Sequence, residues 1–310
     1  MAVLRTPQEP APGPRLAMGD ELPGDLTQAR QVAVGAAQAA GRLLCRRAHG
    51  DLGIRGKGPT GDVVTDLDIS AERLILGRIR TAFPGHRVLA EEAGALGAAD
   101  SRWTWLVDPL DGTNNLAVAL PTYVVGIALC HDRVPVLGVV HDPISGNTWQ
   151  AVRGAGAYGP RDVALQPPVR THQAGPLLAW TQGYSVTKDD ASATALKIVL
   201  DSAARRVFQL WTPLLSLVML ARGDIDGMIG YHAEEIDLPA GALIAAEAGI
   251  SLYGLDGAPF DLRIGRPQVD RSFVACRPEH LDRLLGLVQA AERVVPEVKE
   301  LMTRVPFSSW

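Results

Sequence analysis

Residues 105–116, WLVDPLDGTNNL, constrain the fold of this chain more than any other part of its sequence. An apolar run typical of a buried strand leads directly into Asp108 and Asp111, and Gly112 and Thr113 follow at once. Two carboxylates three residues apart therefore emerge at the end of a strand. Aspartate and glycine are also common in tight surface turns, so this segment alone leaves a structural turn open. The residues that follow are typical of a turn that offers N–H groups and a hydroxyl to an anion.

Acidic clusters recur at two other positions in the chain. Glu91 and Glu92 follow a short apolar run, and residues 234–237 hold three acids just ahead of an apolar helix. Asp237 is also a natural helix N-cap, with Pro239 tolerated in the first turn. Judged alone, this last cluster leaves a capping role and a ligand role equally open.

Periodicity predicts helices and strands along the whole chain. Apolar residues at helical spacing predict helices over residues 25–47, 69–83, 189–206, 214–222, 238–248 and 279–293. β-Branched and aromatic runs predict strands over 87–90, 104–107, 123–130, 134–141, 148–152, 177–180, 206–210 and 225–229, with a loop or hairpin over 57–68. We expect a layered α/β fold with a disordered tail at 1–24 and subdomains at 25–165 and 166–310, the second completing a site in the cleft between them.

Composition excludes several classes of function. The 310 residues carry a net charge of -4, so no basic excess supports a nucleic-acid partner. The three cysteines are widely spaced, which argues against a disulfide framework and a thiolate zinc site. No apolar run is long enough for a signal-peptide core or a membrane span. We therefore expect a cytoplasmic protein without a membrane partner.

Three pieces, taken in order, resemble the inositol monophosphatase-like family, part of the superfamily of fructose-1,6-bisphosphatase-like, lithium-sensitive metal phosphatases. They are the pair Glu91-Glu92, residues 108–115 (DPLDGTNN), and residues 237–241 (DLPAG) opening a helix. The resemblance covers about residues 25–293 and implies a stacked α/β/α/β/α sandwich. It also implies a Mg²⁺-dependent phosphomonoesterase that acts on a small phosphorylated metabolite, and a homodimer.

The resemblance also implies the metal ligands. It assigns one Mg²⁺ to Glu91, Asp108 and the Leu110 carbonyl, and a second to Asp108, Asp111 and Asp237. Hard oxygen ligands are those that Mg²⁺ prefers, and these segments offer no histidine or thiolate shell for zinc.

Catalytic and phosphate-binding roles follow from the same resemblance. Glu91 and Thr113 orient the attacking water, and the N–H groups of Gly112 and Thr113 bind phosphate oxygens. The segment from Lys57 to Asp68 resembles a mobile metal-binding loop in which Asp68 recruits a third, weaker Mg²⁺ through water. Lys57 steadies that loop or the phosphate.

The substrate pocket departs from the family pattern. Trp211 and Thr212 stand where a small Gly-Ser/Thr pair is expected, and Gly230 stands where inositol phosphatases carry a glutamate that grips substrate hydroxyls. We therefore expect a poor inositol 1-phosphatase with an apolar wall at Trp211, although Glu234 could supply a substitute carboxylate.

Three other interpretations stay open at this stage. The chain could be an inositol-1-phosphatase proper, or a phosphatase for another ester such as a sugar or nucleotide phosphate. It could be a catalytically silent member that binds a phosphorylated metabolite. It could also be a sugar-phosphate isomerase or sugar-binding protein in which the acids only cap helices.

Overall fold

The structure is a computed structural model that describes residues 24–48, 50–57, 61–166, 175–266 and 270–304. The helices are α1 (Thr27–Arg47), α2 (Asp66–Ala82), α3 (Thr113–Ala117), α4 (Ala191–Ala203), α5 (Pro213–Arg222), α6 (Pro239–Glu247) and α7 (Leu281–Arg304). The strands are β1 (Arg55–Lys57), β2 (Asp62–Val64), β3 (Arg87–Ala90), β4 (Gly94–Leu96), β5 (Trp103–Asp111), β6 (Val124–His131), β7 (Val134–His141), β8 (Thr148–Val152), β9 (Ala157–Tyr158), β10 (Leu177–Gln182), β11 (Arg206–Phe208), β12 (Gly227–Tyr231), β13 (Ser251–Gly254) and β14 (Phe273–Cys276).

Two β-sheets of different size organise these elements. The larger has seven strands in the order β4-β3-β5-β6-β7-β8-β9, and the smaller has five in the order β11-β10-β12-β14-β13. Strand β3 runs parallel to β5, and β10 runs parallel to both β11 and β12. The hairpin expected between residues 57 and 68 is present as the antiparallel pair β1 and β2.

The helices form three layers around the two sheets. Helices α1 and α2 cover the outer face of the larger sheet, and α4 and α7 cover the outer face of the smaller one. Helices α5 and α6 lie between the sheets, because one buried cluster joins them to inward-facing residues of both sheets. A helix buried on both sides must be apolar all round, and residues 239–245 of α6 are all buried. The predicted five-layer α/β/α/β/α sandwich is confirmed.

Several predicted boundaries differ from the structure. Helix α2 begins at Asp66, before the predicted start at 69, because the Thr65 side chain caps it. Helix α7 continues to Arg304, well past 293. Strand β5 extends to Asp111 through an irregularity between Asp108 and Asp111, so both aspartates belong to the strand end.

The subdomain boundary between 165 and 166 stays a prediction. The strands of the larger sheet all precede residue 159 and those of the smaller sheet all follow residue 176, yet the α5–α6 layer joins both in one core. Residues 1–23 of the predicted tail lie outside the described residues. Within the described ranges, no helix has both the length and the apolarity to cross a bilayer.

Candidate active site

The carboxyl end of β5 presents two buried aspartates. Asp108 is 3% exposed and Asp111 is 5% exposed. Asp108 Oδ1 accepts a hydrogen bond from the Leu110 N–H at 3.0 Å, and Asp111 Oδ2 accepts one from the Leu214 N–H at 2.8 Å. Leu214 lies in the first turn of α5, where N–H groups lack helical acceptors and favour an anion. The site is therefore joined to the central helical layer.

Glu91 reaches the same edge of the sheet. Strand β3 pairs in parallel with β5, with Ala90 opposite Val107, so Glu91 follows its strand beside Asp108. The Glu91 N–H donates to the Val107 carbonyl at 3.2 Å and continues this pairing. Parallel strands bring their carboxyl ends to one edge, which explains how two acidic motifs 17 positions apart in sequence meet.

Asp237 arrives from the other half of the chain, just before α6. The N-cap of α6 is Leu238, which makes no side-chain capping hydrogen bond. The interpretation of Asp237 as a capping aspartate is therefore wrong. Its carboxylate lines the same cleft as the turn around Asp62.

These acids repel one another. Burial raises the pKa of Asp108 well above its ordinary value, and the charges of Glu91, Asp111 and Asp237 raise it further. Burial and then the charge of Asp237 likewise raise the pKa of Asp111. Burial raises the pKa of Glu91 to about 7 despite Lys57, and burial, Glu91 and Glu234 raise that of Asp237 to about 8. Such a cluster favours binding of cations.

Lys57 is the cation that the structure places against this cluster. Its Nζ lies 2.9 Å from Glu91 Oε1 and 2.8 Å from Glu92 Oε1. One ammonium cannot balance the charge of Glu91, Asp108, Asp111 and Asp237 together. Among the described residues, no three acidic, histidine or cysteine side chains converge closely enough to form a ready metal cage. The donor set of buried, mutually repelling carboxylates nevertheless fits hard divalent cations.

A second pair of buried acids lies on α2. Asp68 is 1% exposed, and its Oδ1 accepts from the Thr113 hydroxyl at 2.7 Å while its Oδ2 accepts from the Thr65 N–H at 2.8 Å. Glu72 accepts from the Glu92 N–H at 2.8 Å and from the Ala93 N–H at 2.9 Å. Both oxygens of each side chain are thus engaged, so the geometry favours Asp68 as the partner that orients Thr113.

Position 112 requires glycine. Its φ of 108° lies in the left-handed region, and a Cβ there would lie 2.7 Å from the Thr212 methyl and 2.8 Å from the Thr122 carbonyl oxygen. Thr212 is almost fully buried and lies outside the cleft lining, so its predicted contact with substrate is replaced by a packing role behind Gly112.

A cleft of about 460 Å³ opens beside Asp237. Trp211 lines it as predicted, is 59% exposed and has a φ of 53°, which is rare for a bulky residue. Sequence reasoning missed several further lining side chains, among them Trp180, Gln182, Tyr184 and Lys197. The first two lie at the carboxyl end of β10, where ligands of parallel sheets commonly bind, and that rule could have found them. No sequence signal indicated Lys197.

Gly230 does not face the cleft. A Cβ there would lie 2.2 Å from the buried Phe273 ring, which is opposite it on β14. The Phe273 ring fills the space that a side chain at this position would need, and the predicted loss of inositol selectivity at Gly230 stays a prediction. Glu234 lies near Asp237, whose pKa its charge raises. Glu235 instead pairs with Arg271 and accepts from the Gly265 N–H at 2.8 Å.

Comparison with known proteins agrees with this geometry. The model of the inositol monophosphatase family matches residues 25–293. An inositol-1-monophosphatase of Mycobacterium leprae is 35% identical over 84% of this chain and 93% of its own. A Nus factor SuhB of Pasteurella multocida is 32% identical over 83% of this chain and 94% of its own. The crystal structure of extragenic suppressor protein suhB from Bartonella henselae has a TM-score of 0.77 at 26% identity, covering 85% of this chain and 99% of that one. The chain belongs to the inositol monophosphatase family.

Proposed function

We propose that this protein is a Mg²⁺-dependent phosphomonoesterase that releases phosphate from a small metabolite. The observation that carries the proposal is the cluster of Glu91, Asp108, Asp111 and Asp237, whose charges raise one another's pKa values beside an open cleft. A site of this charge binds cations, and bound cations in turn attract a phosphate ester. Relatives named inositol-1-monophosphatase support this activity.

The ligand sets follow the acidic edge of the larger sheet. Glu91, Asp108 and the Leu110 carbonyl would hold one Mg²⁺, and Asp108, Asp111 and Asp237 would hold a second. When bound, such ions polarise phosphate oxygens and lower the pKa of coordinated water. Asp68 is left out of both sets because its two oxygens already accept hydrogen bonds.

Thr113 positions the attacking water. Its hydroxyl lies 2.7 Å from Asp68 Oδ1 and 2.9 Å from the Leu110 carbonyl oxygen. When its single proton is donated to Asp68, its lone pairs are free to accept from water. Glu91, at the neighbouring strand end, accepts a hydrogen bond from the other O–H of that water and so helps to orient it. The first-turn N–H groups at Gly112 and Thr113 bind the phosphate oxygens that face away from the metal ligands. Lys57 pairs with both Glu91 and Glu92 and offsets part of their charge.

The cleft supports a substrate other than inositol 1-phosphate. Trp211 and Trp180 add aromatic surface to the cleft, which suits a substrate with a planar or less polar portion. An inositol-1-phosphatase proper is the second candidate, which the names of relatives favour. We also propose a cytoplasmic homodimer, the assembly that the family resemblance implies. The net charge of -4 supports the absence of a nucleic-acid partner.

A panel assay tests the proposal. Phosphate release is measured from sugar, polyol and nucleotide monophosphates, with Mg²⁺ and with EDTA. We expect Mg²⁺-dependent release from at least one ester and a lower kcat/KM for inositol 1-phosphate than for the best one. Metal binding without release from any ester would favour a silent, metabolite-binding protein. Neither binding nor release would favour acids that serve only the fold.

A further inference from the structure

Lys197 lies in the cleft wall without an ion-pair partner among the described residues. It projects from α4, and its Nζ lies 5.6 Å from the centre of the Trp180 ring. In the described part of the chain it makes no hydrogen bond and no ion pair. Among the described residues that line the cleft, Lys197 is the only basic one, while Asp62 and Asp237 are the acidic ones.

The nearest acid does not satisfy this ammonium. Asp190 raises the pKa of Lys197, but it lies beyond ion-pair distance and already accepts hydrogen bonds from the Ala193 N–H at 2.8 Å and the Tyr231 hydroxyl at 3.3 Å. Burial against Trp180 lowers the pKa of Lys197 more strongly. A half-buried ammonium that has lost water without gaining a counter-ion binds an anion more favourably than a solvated one does.

The side chains around Lys197 suit an anionic group that also accepts hydrogen bonds. Gln182 and Gln209 offer amide groups, and Trp211 offers an exposed indole at the rim. Asp237, which we assign to the metal centre, lines the same cleft. One cavity therefore contains a phosphate-directed end and a separate cationic wall.

We propose that the substrate carries a second anionic group, carboxylate or phosphate, which Lys197 binds while the first phosphate is hydrolysed. This inference rests on the proposed phosphatase function and names its substrate class. Lys197 acts on specificity, because it contacts the part of the substrate that does not react. Interactions with charged partners are about twice as strong as neutral hydrogen bonds, so the second anion dominates selection among small esters.

Two matched substrate pairs test this proposal. Glycerol 3-phosphate is compared with 3-phosphoglycerate, which adds a carboxylate, and fructose 1-phosphate with fructose 1,6-bisphosphate, which adds a phosphate. We expect the doubly anionic member of at least one pair to have a kcat/KM higher by about 10- to 100-fold. The pair that responds shows which anion the wall accepts.

Variants assign that preference to the side chain. Lys197→Gln is expected to lower the ratio within the responding pair by about tenfold, through KM more than kcat, and Lys197→Arg is expected to retain most of it. Lys188→Gln removes an equal charge from an exposed position outside the cleft and should keep the ratio. If Lys197→Arg retains the kcat/KM ratio of the responding pair, this also shows that α4 still folds when position 197 is substituted.

Each remaining outcome has a defined meaning. Flat ratios in both pairs, an unchanged ratio in Lys197→Gln, or an equal loss in Lys188→Gln would overturn the inference. In those cases Mg²⁺-dependent hydrolysis of glycerol 3-phosphate or fructose 1-phosphate would leave the proposed function intact. If no ester of this panel or the broader one is hydrolysed, the proposed function fails and takes the inference with it.

Discussion

Two pairs of buried acids in this protein have opposite surroundings. Asp68 and Glu72 on α2 are 1% and 2% exposed, and Asp108 and Asp111 on β5 are 3% and 5% exposed. Burial is the largest cause that raises the pKa in all four. On α2, hydrogen bonds from backbone and hydroxyl groups oppose that effect, whereas on β5 neighbouring carboxylates add to it.

The comparison shows that burial of a carboxylate does not by itself indicate a metal centre. What separates the pairs is the balance of donors and neighbouring acids, since Asp68 and Glu72 accept from backbone N–H and hydroxyl groups at both oxygens. The pair on β5 also accepts from backbone N–H groups, those of Leu110 at Asp108 and of Leu214 and Leu215 at Asp111, but it has other acids nearby as well. We therefore assign the α2 acids to positioning and the β5 acids to cation binding.

Asp108→Asn should have the largest effect. The change keeps the side-chain volume and removes one charge from the proposed bridge between two cations. Loss of a single stabilising donor costs about 10²–10³-fold in rate in other active sites, so we expect kcat to fall by at least roughly 10³-fold. The metal-free variant should melt at or above the wild-type temperature, because repulsion decreases, and Mg²⁺ should stabilise it less.

Thermal melts with Mg²⁺ and with EDTA, together with phosphate release, measure these effects. Asp100→Asn, at an exposed position, is the matched control and should change neither the melting temperature nor the rate of phosphate release. Activity like that of wild type in Asp108→Asn would remove the distinction between the two acidic pairs.

Thr113→Val tests the hydrogen bond that joins Asp68 on α2 to the turn after β5. The substitution keeps the branched shape but removes the hydroxyl that donates to Asp68. We expect kcat to fall by about 10²-fold, because the attacking water loses its orientation, with little change in Mg²⁺ affinity. Thr113→Ser retains the hydroxyl and should recover most of the rate. If Thr113→Val instead weakens Mg²⁺ binding and spares kcat, then Asp68 and Thr113 belong to the metal centre.

Glu72→Gln should lower the stability of the protein, whereas Asp108→Asn should preserve or raise the stability of the metal-free protein. The amide nitrogen of glutamine cannot accept a hydrogen bond, so one of the partly buried N–H groups of Glu92 and Ala93 loses its partner. We expect the free energy of unfolding to fall by about 1–3 kcal/mol, with or without Mg²⁺. Chemical denaturation measures it, and Glu292→Gln, at an exposed position of α7, is the control. A stabilised Glu72→Gln would show that repulsion dominates on α2 as well.

The pH dependence of the metal-free protein should be the smallest effect. The folded pKa values of Glu91 (about 7) and Asp237 (about 8) lie above their ordinary values of 4.5 and 3.8. The folded state therefore binds protons more tightly, and stability is lost as the pH rises through these values. We expect the melting temperature in EDTA to fall by a few degrees between about pH 5 and about pH 8.

Saturating Mg²⁺ should make the melting temperature depend less on pH. Asp108→Asn should have the same effect. A melting temperature in EDTA that rises over the same pH interval would contradict the assignment of repulsion to the β5 cluster.

The strand-end positions of three proposed metal ligands could be predicted from sequence, because short apolar segments precede them. Asp108, Asp111 and Glu91 sit at strand ends, and local pattern is enough to place a strand end. The orientation of Gly230 could not be predicted, because it depends on the register that sets Phe273 opposite it. Lys197 has no motif of its own, and only the packing of α4 on the smaller sheet brings it to the cleft.

The hydrogen bond from the Leu214 N–H to Asp111 joins residues 103 positions apart and has a consequence for biosynthesis. When β5 leaves the ribosome, α5 and the segment carrying Asp237 have not been made, so the first acids stay hydrated rather than enclosed. Closing so long a loop is slow, and the charge on β5 opposes premature burial in the meantime. Under the proposed ligand sets, metal capture would be a late event of chain maturation, because a nascent chain shorter than 237 residues lacks Asp237.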